Sequence, residues 1–434
     1  MGSVWFLENE SLELKVYHVK ANSSLDPKSH FDEVLENDNE RLKTLYYRLS
    51  RNEENTSNSP SFSTFSQKPT ELKSVTIPLN PGLSIGSGNY YVKVGLGSPA
   101  KYYSMILDTG SSFSWLQCQP CTIYCHSQVD PIFDPSASTT YKAIPCQSPE
   151  CSSVKRATLN DPFCSAASDS CIYTASYGDS SFSMGYLSQD RLTITPTQVL
   201  TRFVYGCGQN NQGLFGRAAG LLGLARDKLS LLAQVSAQYG YAFSYCLPSF
   251  EGGQGGVFSI GTASVSSPAY KFTPMVVDAK IPSLYFLRLA AITVGRTPLG
   301  VDPASYRVRT IIDSGTVITR LPRPLYAALS QAFGKIISTK FAKAPAVSIL
   351  DTCFKGSLGV VSAVVPNVQL LFQGGAGLNL GPKNVLLEAE RGVVCLAFAA
   401  SNEMAIIGNR QQQTFKVAYD VSKSRIGFAP GGCR

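Results

Sequence analysis

Two short stretches of the sequence each place one aspartate at the end of an apolar run. Residues 105–112 contain Asp108, and residues 310–317 contain Asp313. In both stretches the aspartate is followed by a hydroxyl residue, a glycine and a second hydroxyl residue. Two carboxyl groups held close together resist double ionisation, so one keeps a proton while the other stays charged. Such a pair can activate a water molecule and donate a proton, which suits hydrolysis of an amide without a metal.

A second motif, two apolar residues followed by glycine, is repeated in step with the aspartates. Residues 220–224 read GLLGL after the first aspartate, and residues 405–409 read AIIGN after the second. The two aspartates are 205 residues apart, which is the size of one small lobe. The paired repeats therefore indicate an internal duplication with one aspartate turn in each half.

With these motifs the sequence resembles the pepsin-type aspartic endopeptidases, in particular the nepenthesin-like group of plants, from about residue 88 to residue 433. The short β-branched and aromatic runs between glycine, serine and asparagine clusters independently favour a mostly β protein. The resemblance implies a bilobal pepsin-like fold with two pseudo-symmetric β lobes and a cysteine-rich insertion in the first. It also implies a propeptide-like leader and linker in residues 1–85, an N-terminal lobe in 86–268 and a C-terminal lobe in 269–434.

The resemblance assigns roles to the residues around the two catalytic aspartates. Thr109 and Ser314 are expected to brace the two turns, and Ser111 and Thr316 to hydrogen-bond the outer carboxylate oxygens. The residues expected to support the pair are Thr109, Gly110, Ser111, Ser314, Gly315 and Thr316. Alone, an Asp-Thr-Gly sequence is usually only a turn, so the prediction depends on the duplication.

The strand-like residues 172–176 lead into the sequence Tyr177-Gly178-Asp179, which predicts a hairpin tip. In the family this hairpin is the flap that closes over the substrate. By resemblance Tyr177, Gly178 and Asp179 contact substrate, and Trp115 hydrogen-bonds Tyr177. Each aromatic residue alone would more simply be part of the core.

Twelve cysteines, an even number, predict disulfides and an oxidising compartment. Cys118, Cys121 and Cys125 have zinc-like spacing, but no second ligand pair with histidines follows, so no metal and no cofactor are predicted. The sequence itself leaves the connectivity open. The resemblance implies the pairs Cys118–Cys121, Cys125–Cys207, Cys146–Cys171, Cys151–Cys164, Cys246–Cys433 and Cys353–Cys395.

Residues 1–85 contain no cysteine and carry a net charge of −3, whereas the remainder carries +11. An acidic leader could dock on a basic body. One apolar helical face is predicted, interrupted by Asp38, at Phe31, Val34, Leu35, Leu42, Leu45, Tyr46 and Leu49. The alternative to a removable propeptide is a plain flexible extension. The glycosylation sequons at Asn9, Asn22 and Asn55 also lie here, and cleavage is expected between Pro69 and Ser87.

The predicted location depends on the cysteines more than on the N-terminus. The first 20 residues show no signal peptide, because a basic region and a long apolar region are both missing. The cysteines nevertheless favour a secreted or vacuolar protein, with the plastid as the alternative. No apolar run approaches the roughly 20 residues of a membrane span.

The predicted function is an aspartic endopeptidase that cleaves internal peptide bonds at acid pH and is made as a zymogen. We expect a monomer whose partners are protein or peptide substrates and its own propeptide. One alternative is a catalytically silent binding or inhibitor protein of the same fold, although both aspartate turns and Tyr177 are intact. The other is a plastid DNA-associated protease, against which the absence of a basic run argues.

Overall fold

The structure is a computed structural model that describes residues 27–50, 73–177, 181–213, 215–250 and 255–433, with the side chains of the first helix described from Val34 onward. Gly178 and Asp179 at the predicted flap tip lie outside these ranges. So do the three glycosylation sequons, and Phe31 of the predicted helical face lies in the part of the helix whose side chains are not described. Within the described ranges, no helix is both long enough and apolar enough to cross a bilayer.

The first half of the described chain contains three helices and twelve strands. The helices are α1 (Pro27–Ser50), α2 (Pro149–Thr158) and α3 (Leu231–Tyr239). The strands are β1 (Val75–Pro81), β2 (Tyr90–Leu96), β3 (Lys101–Asp108), β4 (Trp115–Gln117), β5 (Lys142–Ala143), β6 (Phe163–Cys164), β7 (Cys171–Ser176), β8 (Phe182–Thr195), β9 (Gln198–Gln212), β10 (Gly220–Gly223), β11 (Ala242–Cys246) and β12 (Gly256–Ile260).

The second half of the described chain contains four helices and sixteen strands. The helices are α4 (Arg323–Ile337), α5 (Leu358–Ser362), α6 (Pro382–Val385) and α7 (Asn409–Gln412). The strands are β13 (Lys271–Pro274), β14 (Phe286–Leu287), β15 (Leu289–Val294), β16 (Thr297–Pro298), β17 (Thr310–Ile312), β18 (Thr319–Pro322), β19 (Lys343–Ala344), β20 (Cys353–Lys355), β21 (Val368–Phe372), β22 (Gly377–Leu380), β23 (Leu386–Glu390), β24 (Val393–Leu396), β25 (Phe398–Ser401), β26 (Ala405–Ile407), β27 (Lys416–Asp420) and β28 (Arg425–Ala429).

The sequence duplication corresponds to one strand arrangement built twice. In the first lobe β3 pairs in parallel with β10, β10 pairs antiparallel with β4, and β4 pairs in parallel with β9. In the second lobe β17, β26, β18 and β25 repeat the same three pairings in the same order. The fold is therefore the mostly β, bilobal, pepsin-like architecture that the sequence predicted.

The two lobes share a sheet. The strands β27 and β28, near the end of the chain, form a ladder with β13, and β27 pairs with β11 of the first half. Aromatic side chains from both halves stack there, with the rings of Phe243 and Tyr419 4.3 Å apart and nearly parallel. This shared sheet fixes the lobes to each other and leaves the two aspartate turns facing one another above it.

The predicted leader helix is present as α1, and its apolar side chains are buried. Val34 and Leu35 belong to one cluster that also contains Val317 and Ile318. Leu42, Leu45 and Leu49 belong to a second cluster formed with residues of the C-terminal half. Because burial of these side chains is favourable, α1 is docked on the body of the protein.

The structure corrects four of the six disulfides that the resemblance implied. Cys118 bonds Cys207 rather than Cys121, because β4 and β9 run in parallel with Leu116 registered opposite Cys207. Cys121 is then left with Cys125, four residues further along the same loop.

The other two corrected disulfides involve α2 and the strand β7. Cys151 on this helix and Cys171 at the start of β7 are buried in the same apolar cluster, and they bond each other. Cys146 therefore bonds Cys164 rather than Cys171. The implied pairs Cys246–Cys433 and Cys353–Cys395 are confirmed.

Candidate active site

Each aspartate lies where its strand ends beside a repeated glycine. Asp108 is registered against Gly223, and the strand of Asp313 pairs with the strand that leads to Gly408. A Cβ at Gly223 would lie 2.7 Å from the carbonyl oxygens of Ser111 and Phe113, and one at Gly408 would lie 2.5 Å from that of Val317. These glycines are needed because the backbone of each turn passes directly against them.

The two turns are joined by reciprocal hydrogen bonds. The backbone N–H of Thr109 donates to Ser314 Oγ at 3.1 Å, and the N–H of Ser314 donates to Thr109 Oγ1 at 2.9 Å. Ser314 Oγ also donates to the carbonyl of Leu107 at 2.9 Å. All of these groups are buried, so the bonds resist competition from water and fix the separation of the turns.

Each carboxylate also receives hydrogen bonds from its own turn. The hydroxyl of Ser111 and the N–H of Gly110 donate to Asp108. The hydroxyl of Thr316 and the N–H of Gly315 donate to Asp313, at 2.7 and 3.2 Å. The predicted supporting residues thus all lie around the pair. Their hydrogen bonds fix the orientation of the two carboxylates.

A cation from α1, the side chain of Arg41, lies between the two carboxylates. Arg41 Nη2 is 2.7 Å from Asp108 Oδ1 and 3.3 Å from Asp313 Oδ2, and Arg41 Nε donates to Asp313 Oδ2 at 3.3 Å. The side chain of Arg41 is 12% exposed and the carboxylates are almost fully buried. The guanidinium occupies the place between the carboxylates that a water molecule and a substrate carbonyl would need.

The two carboxyl groups respond differently to this environment. Burial raises the pKa of Asp108 more than Arg41 and the hydrogen bonds from its turn lower it. Burial also raises the pKa of Asp313, but Arg41, Thr316 and Gly315 together lower it below its usual value of 3.8. Asp313 accepts from more donors, because Thr109 Oγ1 is also 3.3 Å from it. With α1 docked, these contacts favour the ionised form of Asp313 more than that of Asp108.

The predicted flap contact is present. The hairpin of β7 and β8 pairs Ser176 with Phe182, which places Tyr177 at the edge of the cleft. Trp115 Nε1 donates to the Tyr177 hydroxyl at 2.9 Å. Phe215, which the sequence did not single out, contacts both rings edge-on. The three aromatic side chains hold the base of the hairpin in position.

Asp38, which interrupts the apolar face of α1, is buried beside the second aspartate turn. Its carboxylate accepts from the backbone N–H groups of Val317 and Ile318 and from Arg320 Nη2 at 2.8 Å. Burial nevertheless raises the pKa of Asp38, outweighing the effect of Arg320 and the backbone donors. At the other end of the helix, Arg48 donates to the Gly110 carbonyl. Residues of both signs on α1 thus bond at or beside the two aspartate turns.

Sequence reasoning missed Arg41, Asp38 as a contact residue, and Arg320. The one available signal was a charged residue at an apolar position of a helical face, and Asp38 showed it. Arg41 gave no signal, because an arginine on the polar side of a helix is ordinary. No group of three or more His, Cys, Asp or Glu side chains in the described ranges is placed to hold a metal ion.

Two family models match the chain. One, described as xylanase inhibitor N-terminal, matches residues 90–262, and the other, described as xylanase inhibitor C-terminal, matches residues 284–430. An aspartyl protease family protein of Arabidopsis thaliana is 43% identical over 405 residues, covering 92% of this chain and 82% of its own. Aspartic proteinase nepenthesin-2 of Nepenthes gracilis is 35% identical over 358 residues, covering 80% and 78%.

A solved structure shares the fold at lower identity. Basic 7S globulin from soybean is similar with a TM-score of 0.65 and 21% identity, covering 83% of this chain and 95% of its own. At that identity the likeness concerns the fold alone. It is consistent with the paired strand arrangements described above.

Proposed function

The chain belongs to the aspartic protease family that includes the nepenthesins, and we propose that it is an acid endopeptidase made as a zymogen. The observation that carries this proposal is the convergence of Asp108 and Asp313 on a single nitrogen of Arg41. Two carboxylates that bond the same nitrogen lie near each other, so each raises the cost of ionising the other once the cation leaves.

The proposed reaction uses only these two side chains and a water molecule. The charged carboxylate takes a proton from the water as its oxygen attacks the substrate carbonyl. The neutral carboxyl group donates a hydrogen bond to the carbonyl oxygen, where negative charge develops. Proton transfer to the amine then breaks the C–N bond. The chemistry requires one protonated and one ionised carboxyl group, which is why we expect activity at acid pH.

The leader keeps the unprocessed chain inactive by occupying the cleft. Arg41 lies on both carboxylates, Asp38 lies against the second turn and Arg48 against the first. We assign residues 1–85 to this removable leader, with cleavage between Pro69 and Ser87, and the two lobes to residues 86–268 and 269–434. Protein or peptide substrates take the place of α1 once it leaves.

The compartment follows from the cysteines. All twelve are paired in the structure, and disulfides persist where conditions are oxidising. We therefore place the protein outside the cell or in the vacuole, with the plastid as the alternative. Fractionation of the tagged protein with compartment markers tests this assignment.

The function is tested with Asp108→Asn and Asp313→Asn in the full chain, assayed for self-processing and for cleavage of denatured globin between about pH 2 and 6, the range spanning ordinary carboxyl pKa values. We expect both variants to lose self-processing and proteolysis, because an amide can neither take the proton nor share it. Asp161→Asn is the matched control, since that carboxylate is on the surface and bonds only Lys155 among the described contacts. Activity in either dyad variant would contradict the proposal.

A second function is favoured by one observation, the description of both matching family models as xylanase inhibitor. A chain of this fold could bind another enzyme without cleaving it. Correctly processed protein that binds a xylanase tightly, and shows no pepstatin-sensitive cleavage at any acid pH, would establish that function instead. The intact pair of carboxylates makes proteolysis the better supported proposal.

A further inference from the structure

We propose that Arg320 forms the base of a substrate subsite that prefers an acidic side chain, and that Asp38 of the leader occupies this subsite before processing. The inference rests on the proposed function, because it concerns what replaces the leader in the cleft. It adds a specificity-determining residue on β18 that lies outside both aspartate turns.

The contacts of Asp38 define the subsite. Three donors converge on its carboxylate: Arg320 Nη2 at 2.8 Å, the N–H of Ile318 at 3.1 Å and the N–H of Val317. Asp38 is 3% exposed and Arg320 is 1% exposed, so the pair is removed from water. A guanidinium with two backbone donors is the arrangement that recognises a carboxylate, and a carboxylate provides the acceptors that these donors need.

The subsite is next to the reacting bond. Val317 lies four residues after Asp313, in the loop that joins β17 to β18. Asp38 and Val317 line the same cavity as Asp108 and Tyr177. A substrate side chain placed there would therefore belong to a residue within a few positions of the scissile bond.

Removal of the leader leaves Arg320 in need of a partner. Among the contacts of the described residues, Asp38 is the one carboxylate bonded to Arg320, and Arg320 Nε has no acceptor. Neighbouring strands cannot supply a charge, because Arg320 is registered against Ile406 and Ala399. An apolar substrate side chain would leave a buried guanidinium unpaired, which is costly, whereas an acidic side chain restores the ion pair.

The test uses the processed enzyme and a set of quenched fluorescent peptides. The peptides differ only in having Leu, Gln, Asp, Glu or Lys at each of the three positions on either side of one scissile bond. We expect Asp or Glu to raise kcat/KM by about 10- to 100-fold over Leu at one position, mostly through KM, as hydrogen-bonded ion pairs of this kind allow. The preference should weaken as pH falls below about 4, because the peptide carboxylate then becomes protonated.

Arg320→Met should remove the preference, so that the ratio of kcat/KM between acidic and leucine peptides falls to about one, with no dependence on pH between about 3 and 6. Arg323→Met is the matched control, because that exposed side chain bonds Asn402 and forms no described bond with α1. Arg320→Lys keeps the charge without the planar fork and should retain part of the preference. It also serves as the test variant if Arg320→Met does not fold.

The outcomes separate this inference from the proposed function. Cleavage of the peptides with no position that prefers an acidic residue would overturn the inference and leave the protease intact. So would a preference that persists in Arg320→Met. Failure of the processed enzyme to cleave any peptide would instead refute the proposed function, and the inference with it.

Discussion

Arg41 should be the residue on which the inactivity of the unprocessed chain depends. Its guanidinium bonds both carboxylates, at 2.7 and 3.3 Å, and it is largely buried. Arg41→Met keeps much of the side-chain volume and removes the charge. Loss of one partner from a buried ion pair costs about 3–5 kcal/mol. We expect the lower end, about 3 kcal/mol, because Asp108 and Asp313 can relieve their repulsion by sharing a proton.

The assay compares the activity of the unprocessed chain with that of the same molecules after processing. A loss of about 3 kcal/mol in the free energy of leader docking raises the ratio of open to docked molecules by roughly 150-fold. Residual cleavage of a small peptide by unprocessed Arg41→Met, measured near pH 5 before any processed band appears, should rise by about that factor. The assay pH is above the usual pKa of aspartate, ~3.9, so the part of docking that depends on ionised Asp313 has its full strength there.

Lys43→Met is the matched control, because this exposed lysine of the same helix bonds only Glu40 among its described contacts. It should leave latency unchanged. The reasoning is refuted if unprocessed Arg41→Met is as inactive as the unmutated chain while its melting temperature is also unchanged. In that case bulk occupation of the cleft by α1, and not the ion pair, would keep the enzyme inactive.

Two further predictions concern acid and the flap. Arg41 holds the pKa of Asp313 below 3.8, so this part of leader docking is complete above that pH and is lost as pH falls through the lower value. Burial raises the pKa of Asp38, so this residue favours docking of α1 more as the pH falls, which is the opposite direction. The activity of the unprocessed chain should rise on acidification because the contacts of Arg41 are lost. Arg41→Met should therefore reduce that rise. Tyr177→Phe leaves the buried N–H of Trp115 without its acceptor. We expect this to destabilise the closed position of the hairpin by about 1–3 kcal/mol. We expect kcat/KM to fall by roughly 5- to 100-fold with little change in melting temperature, and an unchanged kcat/KM would exclude this hydrogen bond from flap positioning.

Local sequence patterns were sufficient to predict the parts of the structure that repeat or that depend on spacing along the chain. The apolar strand, the aspartate and the following glycine occur twice, and both copies fold into the same strand arrangement. The helical periodicity around Leu42 and Leu45 likewise predicted α1, because burial of one helical face follows from spacing along the chain.

Local sequence patterns do not predict the disulfide partners. Seven cysteines lie within residues 118–171, so many pairings have similar loop lengths. The choice depends on which strands are neighbours, as when β4 lies beside β9 and brings Cys118 to Cys207. Register between distant strands is not encoded in the spacing of the cysteines, and four of the six pairs that the resemblance implied were wrong.

The sequence by itself determined the pair of aspartates, the hydroxyl residues beside them, the mostly β bilobal fold and the existence of the helix α1. Only the tertiary structure decided that this helix lies in the cleft with Arg41 between Asp108 and Asp313, and that Asp38 meets Arg320. The physical reason is distance along the chain. Asp38 and Arg320 are 282 residues apart, and a contact of that kind exists only once the lobes have packed and the helix has docked.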